Sequence, residues 1–440
     1  MKFDDGFGKF DRSKCHETLP AGLKIACTGF VSEEAGSVAS ANALLLGALL
    51  NAGVEIDFFS KPSFVDPRPI VGLHHGFHFQ SVVNRKSDEF RRLVKIVPVL
   101  AAIAGRTDAA CYNRLLVREM RNRCQTKKYR LVLWMGDYAH GPVPGVPAVS
   151  FAQGPPGTDA RSVLERRQEI RRLAGRGQAW KWATLARVRL SRMGVPALRH
   201  SDHVIVGSRQ SCRTLNQMYG MDLSRLSALP YPIDLDLFKA ECGKMEMESG
   251  KGSLRVLWLG RIVPRKRLDL FLDGAALAIR QGIDVRLSIV GGVGFVRGYE
   301  QLLAAFPFPD RLEWTKGIAR NQVPDFLRRH DVLAQPSDEE NFGSSVAEAQ
   351  ACGLPVIVGW TNGNADYLCS RDIHLCDDRK ETLASALREM TVRRMEGRFG
   401  EAAESRKLAE EKFSLEKVTA LLMEVLQSVV NRSRTSAAPA

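Results

Sequence analysis

The amino-acid sequence predicts an α/β protein made of two Rossmann-like, doubly wound domains that face each other across a cleft. Three observations predict this class. At 440 residues the chain exceeds what one core organises, since single cores stop growing near roughly 250–300 residues. Short apolar, β-branched runs alternate with helix-length segments in two separate series, the pattern of parallel strands with helices on both faces. Between the series lies AECGKMEMESGKGS, a polar, glycine-containing stretch with linker composition. The expected division is a first domain over residues 20–238, a linker over 239–253, a second domain over 254–412 and a C-terminal helix over 413–430 that packs back on the first domain.

The first series begins with KIACTGF from Lys24 as a strand, a loop containing Gly36, a helix over Ala39–Leu50 closed by Asn51-Ala52-Gly53, and a strand over Val54–Phe59. Strands are expected over Arg130–Met135, Ala148–Phe151, His203–Val206 and Leu226–Leu229, with a helix over Gln210–Tyr219. The second series runs as strand Leu254–Leu259, helix Leu268–Gln281, strand Arg286–Val290, strand Leu312–Trp314 and helix Gln322–Arg329. It closes with strand Val332–Gln335, helix Ser345–Cys352 and strand Pro355–Gly359, and the amphipathic helix Leu415–Val430 follows. In such folds ligands meet the carboxyl ends of the strands.

Composition narrows the class. No segment approaches the roughly 20 apolar residues that span a bilayer, and the opening MKFDDGFGKFDRSKCHE lacks the apolar centre of a secretory leader. A cytoplasmic protein is expected, either soluble or peripheral on the inner face of the plasma membrane. Nine cysteines without a C-x-x-C pair argue for reduced thiols. His74, His75 and His78 have no nearby Cys or acidic partner to complete a metal site, so no metal is expected. The net charge of +14 points to anionic partners. Residues 161–199 hold eleven Lys or Arg against two acids, interleaved with Trp180, Trp182 and aliphatic residues. That pattern suits helices lying on an anionic membrane surface, and equally a helix face packed on its own domain.

The chemistry is expected around SDEENFGSSVAEA, residues 337–349, where a strand turns into a helix. A helix start offers unpaired N–H groups and partial positive charge, which attract phosphate. Gly343 permits close backbone approach. Glu340 lies in the loop before it and Glu348 one turn into the helix, so two carboxylates would bracket a phosphate and accept hydroxyl hydrogen bonds from sugars. Ser345 and Glu348 also read as a capping box, which needs no ligand. Arg261 and Lys266, after the strand that ends at Gly260, suit a pyrophosphate. The loop FVSEEAGSV lacks G-x-G-x-x-G, which disfavours a nicotinamide cofactor.

The second half resembles the retaining, two-domain GT-B glycosyltransferases of family 4, the group 1 glycosyl transferases. The likeness lies in LWLGRIVPRKRLDLFLDGA, LSIVGG, LAQPSDEENFGSSVAEAQACGLPVIV and TNGNADYL, and continues upstream in SDHVIVGSRQSCRTLNQMYGMDLSRLSALPYPIDLDLF. It implies that Glu340 and Glu348 are the two glutamates of an E-x7-E motif, near the donor sugar and the nucleotide ribose respectively. It also implies that Arg261 and Lys266 neutralise the donor pyrophosphate, that Asn341, Phe342, Gly343, Ser344 and Ser345 meet sugar and phosphate, and that Gly36 and Gly292 border the donor. Asn341 departs from the usual glycine after the first glutamate. Gln153-Gly154 stands where a histidine is common, leaving Gln153 a sugar-hydroxyl or acceptor contact that cannot act as a base.

The expected function is therefore transfer of a sugar from a nucleotide-sugar, with retention, to a lipid-linked or polysaccharide acceptor in cell-surface glycan synthesis, lipopolysaccharide included. No cofactor is expected, the nucleotide-sugar being a substrate. Two alternatives stand beside it. One is a sugar-nucleotide epimerase or sucrose-type synthase on the same fold; the other is a basic nucleic-acid-binding module, against which no RNA or DNA signature appears.

Overall fold

A computed structural model describes residues 23–31, 36–60, 74–82, 114–136, 142–152, 154–155, 157–190, 196–240, 252–399 and 401–436. The first sheet contains β1 (Lys24–Gly29), β2 (Glu55–Ser60), β3 (Phe77–Ser81), β4 (Leu131–Met135), β5 (Ala148–Phe151), β6 (His203–Val206) and β7 (Leu226–Ala228), in the order β3-β2-β1-β4-β5-β6-β7. The second contains β8 (Leu254–Leu259), β9 (Val285–Val290), β10 (Leu312–Thr315), β11 (Val332–Gln335), β12 (Val356–Val358) and β13 (Ile373–His374), ordered β10-β9-β8-β11-β12-β13. Every pairing is parallel, with Ile25 opposite Leu131 and Leu254 opposite Val285. Each order reverses beside its first strand, the switch point where doubly wound sheets bind ligands.

Central strands such as LVLWM (β4) and VLAQ (β11) are buried along their whole length, as strands covered by helices on both faces must be. β3 (FHFQS) is an edge strand, half-exposed and mixed in polarity, and the apolar pattern did not mark it.

Several contacts join the two sheets. The helix Leu415–Ser436 packs on the helix Gly36–Asn51, which also touches the helix Ser344–Ala351. Ile233 N–H donates to Phe413 O at 2.9 Å. The Arg406 guanidinium donates to Phe238 O at 2.6 Å and Ala351 O at 3.2 Å, tying the chain between the domains to the end of the Ser344 helix.

The basic stretch folds as helices Thr158–Glu165 and Arg167–Leu190, the second broken at Gly175 (φ 84, ψ 166). One side of it crosses to the second domain and the other stays exposed. Its apolar side, including Ile170, Ala179 and Ala186, joins the core of the second domain with Phe271 and Val296. Trp182 stacks on Phe295 with centroids 4.9 Å apart, and Tyr299 donates its hydroxyl to Glu169 at 3.0 Å. The hydrophobic periodicity correctly announced a buried face; which domain receives it depends on contacts across more than a hundred residues.

Candidate active site

The loop from Pro336 to Gly343 carries the site from the carboxyl end of β11 to the helix Ser344–Ala351. Two of its residues adopt the left-handed region: Glu339 at φ 43 and Gly343 at φ 71. For Glu339 this conformation costs about 1–2 kcal/mol. Arg161 pairs with its carboxylate and Thr361 Oγ1 accepts from its N–H at 2.9 Å, so the loop is held from two sides. At Gly343 a Cβ would lie 2.3 Å from Asn364 Oδ1, so glycine is required by a neighbouring side chain as well as by the turn.

Glu340 is enclosed by cations. Its Oε2 lies 2.6 Å from Lys266 Nζ and 3.1 Å from Arg265 Nη1. Burial alone would raise this carboxyl, but Arg265 and Lys266 outweigh it and hold the group down at about 2. Lys266 is also pushed downward, by burial first, with Glu340 opposing and Arg265 and Arg261 adding to the fall. Pro264 opens a short turn over Pro264–Lys266 that sets both cations facing the loop. Arg265 also donates to Asp159 at 2.7 Å, and Arg166 reaches Asp338 at 2.5 Å, so the docked helices brace this loop as well.

Glu348 does not form the capping box that its spacing allows. The cap is Gly343, without a side-chain bond, and Glu348 instead accepts from Arg320 at 3.0 Å. Burial raises the Glu348 carboxyl, while Arg320 and then Lys266 pull it down. The Lys266 ammonium thus acts on both glutamates. Ser345 donates to Gln335 Oε1 at 3.3 Å, and Ser344 is buried at the helix start.

Arg261 follows directly on Gly260 at the end of β8; it is exposed and makes no ion pair among the described residues. Gly291 lies so close that a Cβ there would fall 1.8 Å from Gly260 O, and Ile262 N–H donates to Gly292 O at 2.9 Å. Gly292 and Arg261 are thereby fixed side by side. Gly36 begins the helix that touches the Ser344 helix. Gln153 lies outside the described residues. Among the described residues no group of three His, Cys, Asp or Glu side chains could hold a metal, and His74 Nδ1 accepts from Gly76 N–H at 3.2 Å.

Asn341 and Phe342 point away from the loop's open side. Asn341 Oδ1 accepts from Gly207 N–H at 2.9 Å, and its Nδ2 donates to Tyr231 Oη at 2.6 Å. Gly207 directly follows β6 of the first domain, so the departure from glycine at 341 supplies a clasp between domains. Replacing Asn341 by Gly is expected to leave the Gly207 N–H without its acceptor, while Tyr231 keeps Ala152 O at 3.3 Å, and to lower stability by about 1–3 kcal/mol. Urea denaturation checks this, with Asn341→Asp, which keeps the acceptor for Gly207, falling between the two.

Sequence reasoning missed Arg265 and Arg320. Arg265 sat inside the quoted basic run, but adjacency could not say which of three neighbouring cations faces Glu340. Arg320 is 28 residues from Glu348 and belongs to no motif.

Residues 246–406 match the protein family described as glycosyl transferases group 1. The chain carries a glycosyl transferases group 1 domain. That domain contains Arg261, Lys266, Gly292, Glu340 and Glu348 together. The chain is 26% identical over 245 residues to D-inositol 3-phosphate glycosyltransferase of Xylanimonas cellulosilytica, covering 53% of this chain and 58% of the relative. It is 29% identical over 215 residues to GDP-mannose-dependent alpha-(1-6)-phosphatidylinositol monomannoside mannosyltransferase of Mycolicibacterium smegmatis, covering 46% and 55%. The chain thus spans a little over half the length of each relative. The crystal structure of Anabaena HepE in complex with UDP and glucose superposes with a TM-score of 0.60 at 15% identity, covering 92% of this chain and all of that one. The group 1 domain and its partner therefore have the GT-B architecture of two Rossmann-like domains.

Proposed function

We propose that the chain is a nucleotide-sugar-dependent, retaining glycosyltransferase acting without a metal or cofactor. The observation that carries this reading is the buried pairing of Lys266 with Glu340 at 2.6 Å and of Arg320 with Glu348 at 3.0 Å around the start of the Ser344 helix, with Arg261 exposed at the neighbouring strand end. Charge develops on the departing nucleotide diphosphate, and fixed cations with a helix N-terminus stabilise it where it forms. Glu348 suits the ribose hydroxyls and Glu340 orients Lys266 beside the sugar. In front-face transfer the bond from the anomeric carbon to phosphate oxygen breaks, the acceptor oxygen bonds to the same face, and the acceptor proton passes to the leaving phosphate.

The acceptor we assign is a lipid-linked saccharide or growing polysaccharide at the inner membrane face. Among the described residues no helix is long and apolar enough to cross a membrane, and the contact we propose is peripheral. Relatives named for inositol phosphate and phosphatidylinositol mannoside acceptors support an anionic acceptor class.

Thermal shift against a panel of nucleotide-sugars tests the reading. A true donor at about 100 times its Kd adds about 2.7 kcal/mol to stability. Glu348→Gln is expected to lose most of that shift while its melting temperature without ligand changes little. An unchanged shift in the variant, or no shift with any nucleotide-sugar, refutes the proposal. Turnover with lipid-linked against soluble acceptors then decides between polysaccharide synthesis and a sucrose-type reaction.

A further inference from the structure

We infer that the outward face of the helix Arg167–Leu190 is a docking surface for a bilayer rich in anionic phospholipid. The inference rests on the membrane-side reading above and goes beyond it, because it places the contact on a helix packed against the donor-side domain. The helix commits its apolar face inward, with Ile170, Ala179, Ala183 and Ala186 buried. Its other face presents Arg167, Arg171, Arg176, Trp180, Lys181 and Arg187, all exposed. The break at Gly175 opens a groove of about 560 Å³ in that face, lined by Arg167, Arg171, Arg176 and Trp180.

Among the described residues no carboxylate pairs with this charge. Arg167, Arg171 and Arg176 form no ion pair among the described residues, and the two acids of the segment are already engaged, Glu165 by Arg166 and Glu169 by Tyr299. Arg167 and Arg171 stand one helical turn apart, where like charges repel, so the fold gains nothing from them. A phosphate in the groove reverses that sign. Trp180 is 67% exposed, whereas Trp182 two residues on is stacked against Phe295. An exposed indole beside arginines fits the headgroup layer, where the ring sits in the interface and the guanidiniums meet phosphates. The same helix touches the loop after β9, with Gly298 set against Ala174, so docking would hold the donor-side domain at the surface.

Co-sedimentation of the full chain with vesicles tests this. Binding is expected to an equal mixture of phosphatidylcholine and phosphatidylglycerol, not to phosphatidylcholine alone, and to fall steeply with salt. The triple variant R167Q/R171Q/R176Q is expected to partition on the order of a hundredfold more weakly, each cation near an anionic surface contributing roughly fivefold. Trp180→Ala, a single exposed change, is expected to lose the blue shift of tryptophan fluorescence on binding, and it keeps the test open if the triple variant misfolds. Equal binding to both vesicle types, parental binding by the triple variant, or binding of single-stranded RNA without binding of anionic vesicles overturns the inference. The triple variant should keep the parental thermal shift with the donor nucleotide-sugar. If no nucleotide-sugar shifts either protein while vesicle binding holds, the transfer reading falls and this one stands.

Discussion

Replacing Glu340 by Gln is expected to lower kcat by about a hundredfold to a thousandfold, the usual loss when one preorganised electrostatic element is removed, and to lower stability at neutral pH by about 3 kcal/mol. The glutamate holds two cations, Lys266 at 2.6 Å and Arg265 at 3.1 Å, in a site largely closed to water. A neutral amide leaves Lys266 without its counter-charge, and breaking one side of a buried pair costs roughly 3–5 kcal/mol, moderated here because Arg265 keeps Asp159. The effect depends on pH in a definite direction. The carboxyl ordinarily titrates at 4.5; burial raises it, Arg265 and Lys266 overcome that, and the folded value falls to about 2. The folded chain thus binds its proton more weakly than the unfolded chain. The stabilisation is complete above the unfolded value and fades as pH falls from 4.5 towards about 2. Urea midpoints of parent and variant should differ at pH 7 and converge towards pH 2. A constant gap across that window contradicts the assigned ion pairs.

The division between what the residues announced and what they withheld follows from distance along the chain. β8 and β11 were legible because LRVLWL and VLAQ are apolar runs bounded by glycine, proline and charge. The two glutamates were legible because seven intervening residues carry one across a helix start from the other. The partners of those glutamates were not, since Arg320 and Arg265 are chosen by the packing of separate loops. Nor could the sequence rank the capping box against a pairing with Arg320: the box asks only for local spacing, and the fold moved the cap to Gly343. The basic helices show the same limit. Periodicity gives one buried face and one charged face, yet Arg166 and Glu169 find Asp338 and Tyr299 only because the segment crosses to the other sheet. Asn341 was visible as an anomaly in its motif, and its meaning appeared with Gly207 and Tyr231 beside it.

The largest loss of stability is expected for Phe342→Ala, because this one ring joins three parts of the chain. It is fully buried, with centroids 5.4 Å from Tyr231 of the interdomain segment, 5.2 Å from Phe413 and 5.9 Å from Tyr367. Phe413 in turn fixes Ile233 through its carbonyl at 2.9 Å, so the cluster couples the site loop to the crossover between domains. Removing a buried phenylalanine costs about 3–5 kcal/mol through lost transfer energy and the cavity left behind. The cavity lies where the domains meet, so the loss should fall on their coupling as well as on either core. In scanning calorimetry the parent is expected to unfold in one cooperative transition and Phe342→Ala in two, the lower shifted by several degrees. Phe342→Leu, which refills most of the volume, should restore a single transition. Because Asn341 and Gly343 flank this ring, the alanine variant should also weaken donor binding, an effect on Kd separable from the kcat loss of Glu340→Gln. A single unshifted transition would show that the aromatic cluster does not unite the two domains.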